Sequence, residues 1–409
     1  MRHYKVIVIG GGPSGITCGY YLKQRGLDYL IIEKEEMLHT WKNERWDSFY
    51  LVTPNWMTHL PGLENEIPYN NEYMSKSEIL AILERYQKFV NPVYVDNTVI
   101  QEIVLEGSVY KVYTNKGDYC CDHIIVASGM YSEPFIPKVS EKIPAEINQM
   151  HSSDYKNPCQ MTPGNVVVVG SGWSGVQIAL ELKKALQNEV YLSIGSLSPL
   201  PVVYKNVHGV YWLNRLSGYA NVNPILNYKK EDFTNPNILH KMGQNMVECQ
   251  KNGVHLVGRL LDREGNKLIF NDNIRSVFKE AEKYIDTAKQ KIDALIEKEH
   301  ITTGGNEFDL RLDRVDLDAI TPLAELDIHA HHITNIIWST GFRRNYSYIK
   351  RPIFDENGLP LLIDGVATTE NITFCGLELE VDRNIRSAFG VGLYAINESS
   401  KRAVDYIKL

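Results

Sequence analysis

Lys5-Val6-Ile7-Val8-Ile9-Gly10-Gly11-Gly12-Pro13-Ser14-Gly15 decides how this chain of 409 residues folds. The run ending at Ile9 is apolar at consecutive positions, as in strands buried on both faces of a parallel sheet. Glycines break it, and an amphipathic stretch then runs to Arg25-Gly26, where Gly26 suits a helix C-cap. A second apolar run, Tyr29-Leu30-Ile31-Ile32, stops at Glu33. Strand, glycine turn, helix and strand together make one βαβ unit.

The pattern returns 160 residues later. Val166-Val167-Val168-Val169 leads into Gly170-Ser171-Gly172-Trp173-Ser174-Gly175, a helical stretch to about Leu186, and a strand Val190-Tyr191-Leu192-Ser193. That spacing is too long for a solenoid repeat, and each unit can seed its own domain. Between them, 98–127 alternates in strand fashion around a turn at Asn115-Lys116-Gly117-Asp118. Residues 254–270 read as a hairpin, and 274–296 as a helix that packs Ile274, Val277, Phe278, Ala281, Ile285, Ala288, Ile292 and Leu295 on its domain. A last helix is expected from about Gly390 to Ile407.

Each glycine in the G-x-G-x-x-G frame has a physical task. The first permits the tight turn, the second lets a pyrophosphate approach the backbone, and the third allows close helix–strand packing. The helix N-terminus adds amide donors for the phosphates. Glu33, 23 residues after Gly10, stands where an acid holds ribose hydroxyls. The same count from Gly170 reaches Ser193, which has no charge to repel a 2′-phosphate. No arginine stands in Ser193-Ile194-Gly195-Ser196 to attract one. NADPH and NADH both stay open, and the expected preference for NADPH is roughly tenfold at most.

Composition narrows the class. Hydrophobic residues make up 44% and charged residues 23%, which excludes disordered, collagen-like and coiled-coil chains. A net charge of −7 disfavours a nucleic-acid partner. No apolar run approaches the roughly 20 residues that span a bilayer. The 6 cysteines form no C-x-x-C, and the strand-like run begins too early to leave room for a signal peptide. The expectation is a cytoplasmic protein. No zinc or serine-nucleophile motif is present, and His331-His332 reads as solvated, so no metal site is expected.

Further stretches carry a family likeness. Thr40-Trp41, Arg45-Trp46-Asp47-Ser48, Leu51-Val52-Thr53-Pro54-Asn55-Trp56 and Leu60-Pro61-Gly62 accompany the two glycine loops. Ala127-Ser128-Gly129, Ser339-Thr340-Gly341-Phe342 and Phe374-Cys375-Gly376 follow. With them the chain resembles the class B flavin-dependent monooxygenases, the flavin-containing-monooxygenase-like proteins, and within these a bacterial flavoprotein subgroup named for potassium transport. The resemblance implies an α/β fold of two Rossmann-type dinucleotide-binding domains, the second inserted into the first. Residues 1–160 and 320–409 would form the FAD-binding domain, and 161–319 the NAD(P)H-binding domain.

It also implies FAD on Gly10, Gly12, Gly15, Glu33, Trp41 and Arg45, and the nicotinamide pyrophosphate on Gly170, Gly172, Ser174 and Gly175. Pro13, Ser14, Lys34, Val99, Ala127, Gly129, Ser193, Gly341 and Gly376 are expected as further cofactor contacts. Asn55 is the expected catalytic residue, because an amide near the reactive flavin edge can donate and accept without titrating. The implied activity is NAD(P)H-consuming monooxygenation through a C4a-peroxyflavin, with O2 and a small organic substrate oxygenated at nitrogen, sulfur or a ketone carbon. Two alternatives stand beside it: an NAD(P)H-dependent flavin reductase or disulfide reductase, the latter needing a redox cysteine pair, and a regulatory flavoprotein linked to cation transport. The family's linker stretch is matched by His151 and Tyr155, but Ala145 and Ile147 replace its phenylalanine and glycine. The plain alternative for His151 is a surface-exposed histidine in a linker. Tyr204, Tyr211, Trp212 and Tyr219 are candidates to line a substrate cavity.

Overall fold

The computed structural model describes residues 1–197, 202–216, 245–303, 314–363, 366, 368, 370–376 and 393–408. Tyr219 and Gly390 lie outside the described residues. Strand Arg2–Ile9 sits inside the first sheet, whose order is Tyr94–Val95, Tyr29–Ile32, Arg2–Ile9, Tyr119–Val126, Val109–Thr114, Ile100–Glu106. The first four of these are parallel. Ile372–Phe374 joins in parallel beside the end of Tyr119–Val126. Alternation explains why both faces of Arg2–Ile9 are apolar. Val6 and Val8 pack with Cys18, Leu22 and Ala403 on one side, while Ile7 and Ile9 pack with Ile103, Tyr346 and Ile349 on the other.

Helix Pro13–Gln24 packs against helices Lys76–Val90 and Leu393–Asp405. Lys76–Val90 starts at a capping box, with Ser75 and Glu78 satisfying each other's backbone amides, and buries Ile79, Leu83 and Tyr86. Residues 98–127 hold three strands and not two, because a second turn forms at Gly107, where φ is 63°.

The second sheet is wholly parallel, in the order His255–Val257, Val190–Ser193, Asn165–Val169, Ile333–Trp338, Asn148–His151. Helix Trp173–Leu186 packs on it, and its core includes Val166, Val168, Leu192 and Ile337. A three-stranded antiparallel layer, Leu260–Glu264, Lys267–Phe270 and Glu325–Asp327, continues from its edge. Helix Ile274–Glu299 buries seven of the eight apolar residues its periodicity singles out; Leu295, near its C-terminal end, is only half-buried.

The chain leaves the first sheet after Val126, enters the second at Asn148 and returns after Trp338. The outgoing and returning segments lie side by side, with Glu133–Pro134 paired antiparallel to Phe342–Arg343. The expected span 161–319 omits two strands of the second sheet, Asn148–His151 and Ile333–Trp338. We therefore propose domain boundaries at the paired segments near 134 and 342.

His151 is not an exposed linker residue. It is 1% exposed, with Nε2 on the Gly341 carbonyl at 3.0 Å and Nδ1 accepting from Ser153 N–H at 3.1 Å. Burial pushes its pKa below the usual imidazole value. A neutral ring thus ties the outgoing segment to the returning one. Tyr155 is equally buried and donates to the Glu181 carboxylate at 2.7 Å. Ala145 is exposed and Ile147 is packed into a core cluster.

Candidate functional site

Both glycine loops sit at the carboxyl ends of parallel strands, where ligands bind in open α/β sheets. Gly10 has φ of 109°, and a Cβ there would stand 2.6 Å from the Ala127 carbonyl oxygen. A Cβ on Gly15 would stand 1.9 Å from the Gly10 oxygen, so this glycine lets the helix approach the strand. Gly12 differs from both. Its φ of −78° suits any residue, and nothing lies within 4 Å of the missing Cβ. Neither backbone nor packing asks for glycine at that point; a ligand pressed against the backbone does. Helix Pro13–Gln24 has no side-chain cap at its N-terminus and no acid in its first turn, leaving amide donors for phosphate. These features fit a dinucleotide pyrophosphate.

A cleft of about 370 Å³ opens over this loop. Of the expected residues it is lined by Gly10, Gly12, Pro13, Ser14, Glu33, Lys34, Trp41, Arg45, Val99, Ala127, Gly129 and Gly376. Glu33 is fixed at the rim, its carboxylate accepting from Gly11 N–H at 2.5 Å and Glu35 N–H at 2.9 Å. Arg45 lies 5.4 Å from the Trp41 ring, 5.6 Å from Phe49 and 5.0 Å from Tyr131. Desolvation lowers its pKa, while Tyr131 and Glu44 act the other way. The result is a cation framed by aromatic faces at the cleft wall, suited to a planar, electron-rich ligand.

The sequence reading missed Thr98, Tyr131, Tyr348 and Ile396, which also line the cleft. Thr98 was within reach, because it follows the third parallel strand of the unit, Tyr94–Val95. Asn55, in contrast, does not line the cleft. It opens the short turn Asn55–Met57, 4% exposed, with Nδ2 donating to Asn70 Oδ1 at 2.9 Å and its own Oδ1 buried without a partner among the described residues. Trp56 and Met57 beside it pack with Tyr204, Val207, Tyr211 and Trp212 of the second half. Tyr204 donates to Asp293 and Trp212 Nε1 to the Tyr204 carbonyl, so these aromatics form a packed wall.

The second loop repeats the frame. Gly170 has φ of 114° with its absent Cβ 2.2 Å from the Ser339 oxygen, and Gly175 would meet the Gly170 oxygen at 1.9 Å. Gly172 has φ of −65° and open space at its Cβ. Gly10 N–H donates to Ile32 O at 2.9 Å, and Gly170 N–H to Ser193 O at 3.0 Å. Ser193 is thus the counterpart of Ile32, and the counterpart of Glu33 is Ile194, which is fully buried. Ser193 therefore does not stand at the strand-end position that the count from Gly170 predicts. Its hydroxyl, 2% exposed, donates to Gly258 O at 3.0 Å and accepts from Leu260 N–H at 2.9 Å, facing the sheet and not a ribose. Gly341 (φ 83°) and Gly129 (φ 73°) stand two residues after Ser339 and Ala127, in matching places. Ser174 lies in the first turn of helix Trp173–Leu186.

Two cysteines far apart in sequence meet behind the first loop. Cys18 Sγ and Cys375 Sγ are 3.6 Å apart, both buried. The bond to Cys18 and burial hold the Cys375 thiol well above its usual pKa, which keeps it protonated and a poor nucleophile.

Residues 7–198 match the family of pyridine nucleotide-disulphide oxidoreductases. The chain is 31% identical over 408 residues to an uncharacterized CzcO-like oxidoreductase of Geobacillus kaustophilus, covering 97% of this chain and 99% of that one. It is 32% identical over 181 residues, 43% of this chain and 44% of the relative, to the probable indole-3-pyruvate monooxygenase YUCCA1 of Arabidopsis thaliana. A flavin-containing monooxygenase from Stenotrophomonas maltophilia has the same fold, with a TM-score of 0.66 at 20% identity over 99% of this chain and 98% of that one.

Proposed function

The chain belongs to the CzcO-like oxidoreductases, and from that premise we propose that it is an FAD-dependent, NADPH-consuming monooxygenase acting on a small organic molecule at nitrogen, sulfur or a ketone carbon. Its cofactors are FAD and NADPH. We place FAD on the first glycine loop and NADPH on the second. The observation that carries the reading is the pair Gly12 and Gly172, two glycines that neither backbone nor packing requires, each at an uncapped helix N-terminus. The plant relative's description as a probable monooxygenase supports oxygenation, and the burial of both Cys18 and Cys375, with the Cys375 thiol held protonated, weighs against a disulfide reductase.

Bound flavin supplies hydride acceptance and oxygen activation; the chain supplies placement. Gly10, Gly12 and the first turn of helix Pro13–Gln24 hold the pyrophosphate, and Glu33 holds ribose hydroxyls. Trp41 and Arg45 bound the far wall of the cleft. For Asn55, which does not line the cleft, we propose that the Oδ1 left without a partner among the described residues meets the reacting groups once the cofactors are bound. The His151 bond to the Gly341 carbonyl and the paired segments tie the outgoing chain to the returning one between the two sheets.

The test is oxygen bookkeeping with isotopically heavy O2, NADPH and a panel of amines, sulfides and ketones. One heavy atom in an organic product for each NADPH oxidised is the expected result. NADPH oxidation that yields only hydrogen peroxide with every substrate class would remove the oxygenase reading.

A further inference from the structure

Cofactor choice turns on one residue that no motif marks. We propose that Arg259 is the specificity-determining residue for the nicotinamide cofactor, gripping the 2′-phosphate of NADPH from the strand next to the one that normally supplies the contact. The proposal rests on the reading that the second glycine loop holds that cofactor.

The internal equivalence of the two units locates it. Glu33 N–H bonds to Val95 O in the first sheet, and Ile194 N–H to Val257 O in the second. Counting on from these bonds pairs Lys34 with Gly195, Asn97 with Arg259 and Thr98 with Leu260. In the first unit Lys34, Thr98 and Val99 line the cleft beside the ribose acid Glu33. Arg259, the counterpart of Asn97, therefore stands one residue before the counterpart of the cleft-lining Thr98, at the same strand end of the second unit.

Its guanidinium lies flat on Gly195: a Cβ there would stand 2.9 Å from Nε, 3.1 Å from Nη2 and 3.3 Å from Cζ. Gly195 thus makes room for an arginine it does not itself supply. The Gly195-Ser196 segment touches the glycine loop, since Ser171 Oγ donates to Ser196 O at 3.2 Å. The arginine's backbone is held on both sides, because the Ser193 hydroxyl bonds Gly258 O and Leu260 N–H. Asn271 N–H donates to the Arg259 carbonyl at 2.9 Å.

The side chain itself is exposed and has no hydrogen bond or ion pair among the described residues. The acid closest to it along the strand, Asp262, is taken by Lys142 at 2.6 Å. No carboxylate stands at the Glu33 position to repel a phosphate, because Ile194 is there. An unpaired guanidinium over a glycine, on a backbone that is itself held, has the donor fork for bidentate phosphate binding.

The FAD-loaded protein is titrated by calorimetry with adenosine 2′,5′-bisphosphate and with adenosine 5′-monophosphate, which differ only in the 2′-phosphate. Wild-type protein should bind the bisphosphate about thirtyfold tighter, as charge-assisted bonds to phosphate imply. Arg259→Ala should bring the two ligands within about threefold while leaving the monophosphate affinity and flavin content unchanged, and Arg259→Lys should fall between, having charge without the fork. An Arg259→Ala protein that keeps the full discrimination, or a wild type that shows none, overturns the proposal alone. If neither fragment binds the wild type, the assignment of the second loop falls with it.

Discussion

The loop after Ile9 and the loop after Val169 place the same demands on the backbone. Their first glycines have φ of 109° and 114°, and their third glycines would each put a Cβ 1.9 Å from the first glycine's oxygen. Their middle glycines both face open space. The two part company one strand further on, where the first unit has Glu33 and the second has buried Ile194 with Arg259 nearby. The frame that holds a pyrophosphate is a backbone property and repeats almost unchanged. Discrimination between ligands lies in a few side chains at the strand ends, where the frame imposes nothing.

If the frame is common, breaking it should cost both halves alike. Gly15→Ala and Gly175→Ala each force a methyl into a backbone carbonyl, and we expect a loss of about 3 kcal/mol or more from either. Urea unfolding of both variants checks this; a tolerated substitution in one loop and not the other would show that the two helices approach their strands differently. Asn55 does not line the cleft over the first loop, so Asn55→Ala should leave FAD bound. It should lower oxygenated product per NADPH with a transition-state cost of about 3 kcal/mol. Unchanged yield and rate would reduce Asn55 to a turn residue.

Acid should weaken both halves. Burial pushes His123 of the first sheet down to about 4, with Lys5 adding to the effect, and His208 of the second half down to about 3. Unfolded, each takes its proton near 6.5. The stability that each neutral ring contributes is therefore full above that pH and lost as pH falls toward the folded value, at up to about 1.4 kcal/mol per pH unit. Melting temperatures between pH 7 and 5 should fall, and His123→Phe should flatten the slope. A wild-type profile level across that range would contradict the account.

The strands and both loops were legible because burial on two faces leaves uninterrupted apolar runs, as in Val6 to Ile9 and Val166 to Val169. The fine register of the second unit was not. Helix Trp173–Leu186 has 14 residues against 12 in Pro13–Gln24, while the turn after it is one residue shorter, so a fixed count from Gly170 lands on Ser193 and not on Ile194. Only hydrogen-bond pairing reveals that slip. Arg259 and the Cys18–Cys375 contact escaped for a related reason. Neighbouring parallel strands join residues whose separation in sequence depends on everything folded between them. Glu33 was legible because its loop, helix and strand form one local unit. The cleft residues Tyr348 and Ile396 come from the returning part of the chain, to which no local pattern points.

We propose that two equal cradles hold two different dinucleotides, FAD in the first and NADPH in the second. Gly12→Val and Gly172→Val test it in one measurement, the ratio of bound flavin to protein after purification, since both positions have backbone angles that valine accepts. We predict almost no flavin in Gly12→Val and a wild-type ratio in Gly172→Val. Equal retention in both variants, or loss confined to Gly172→Val, would contradict the assignment.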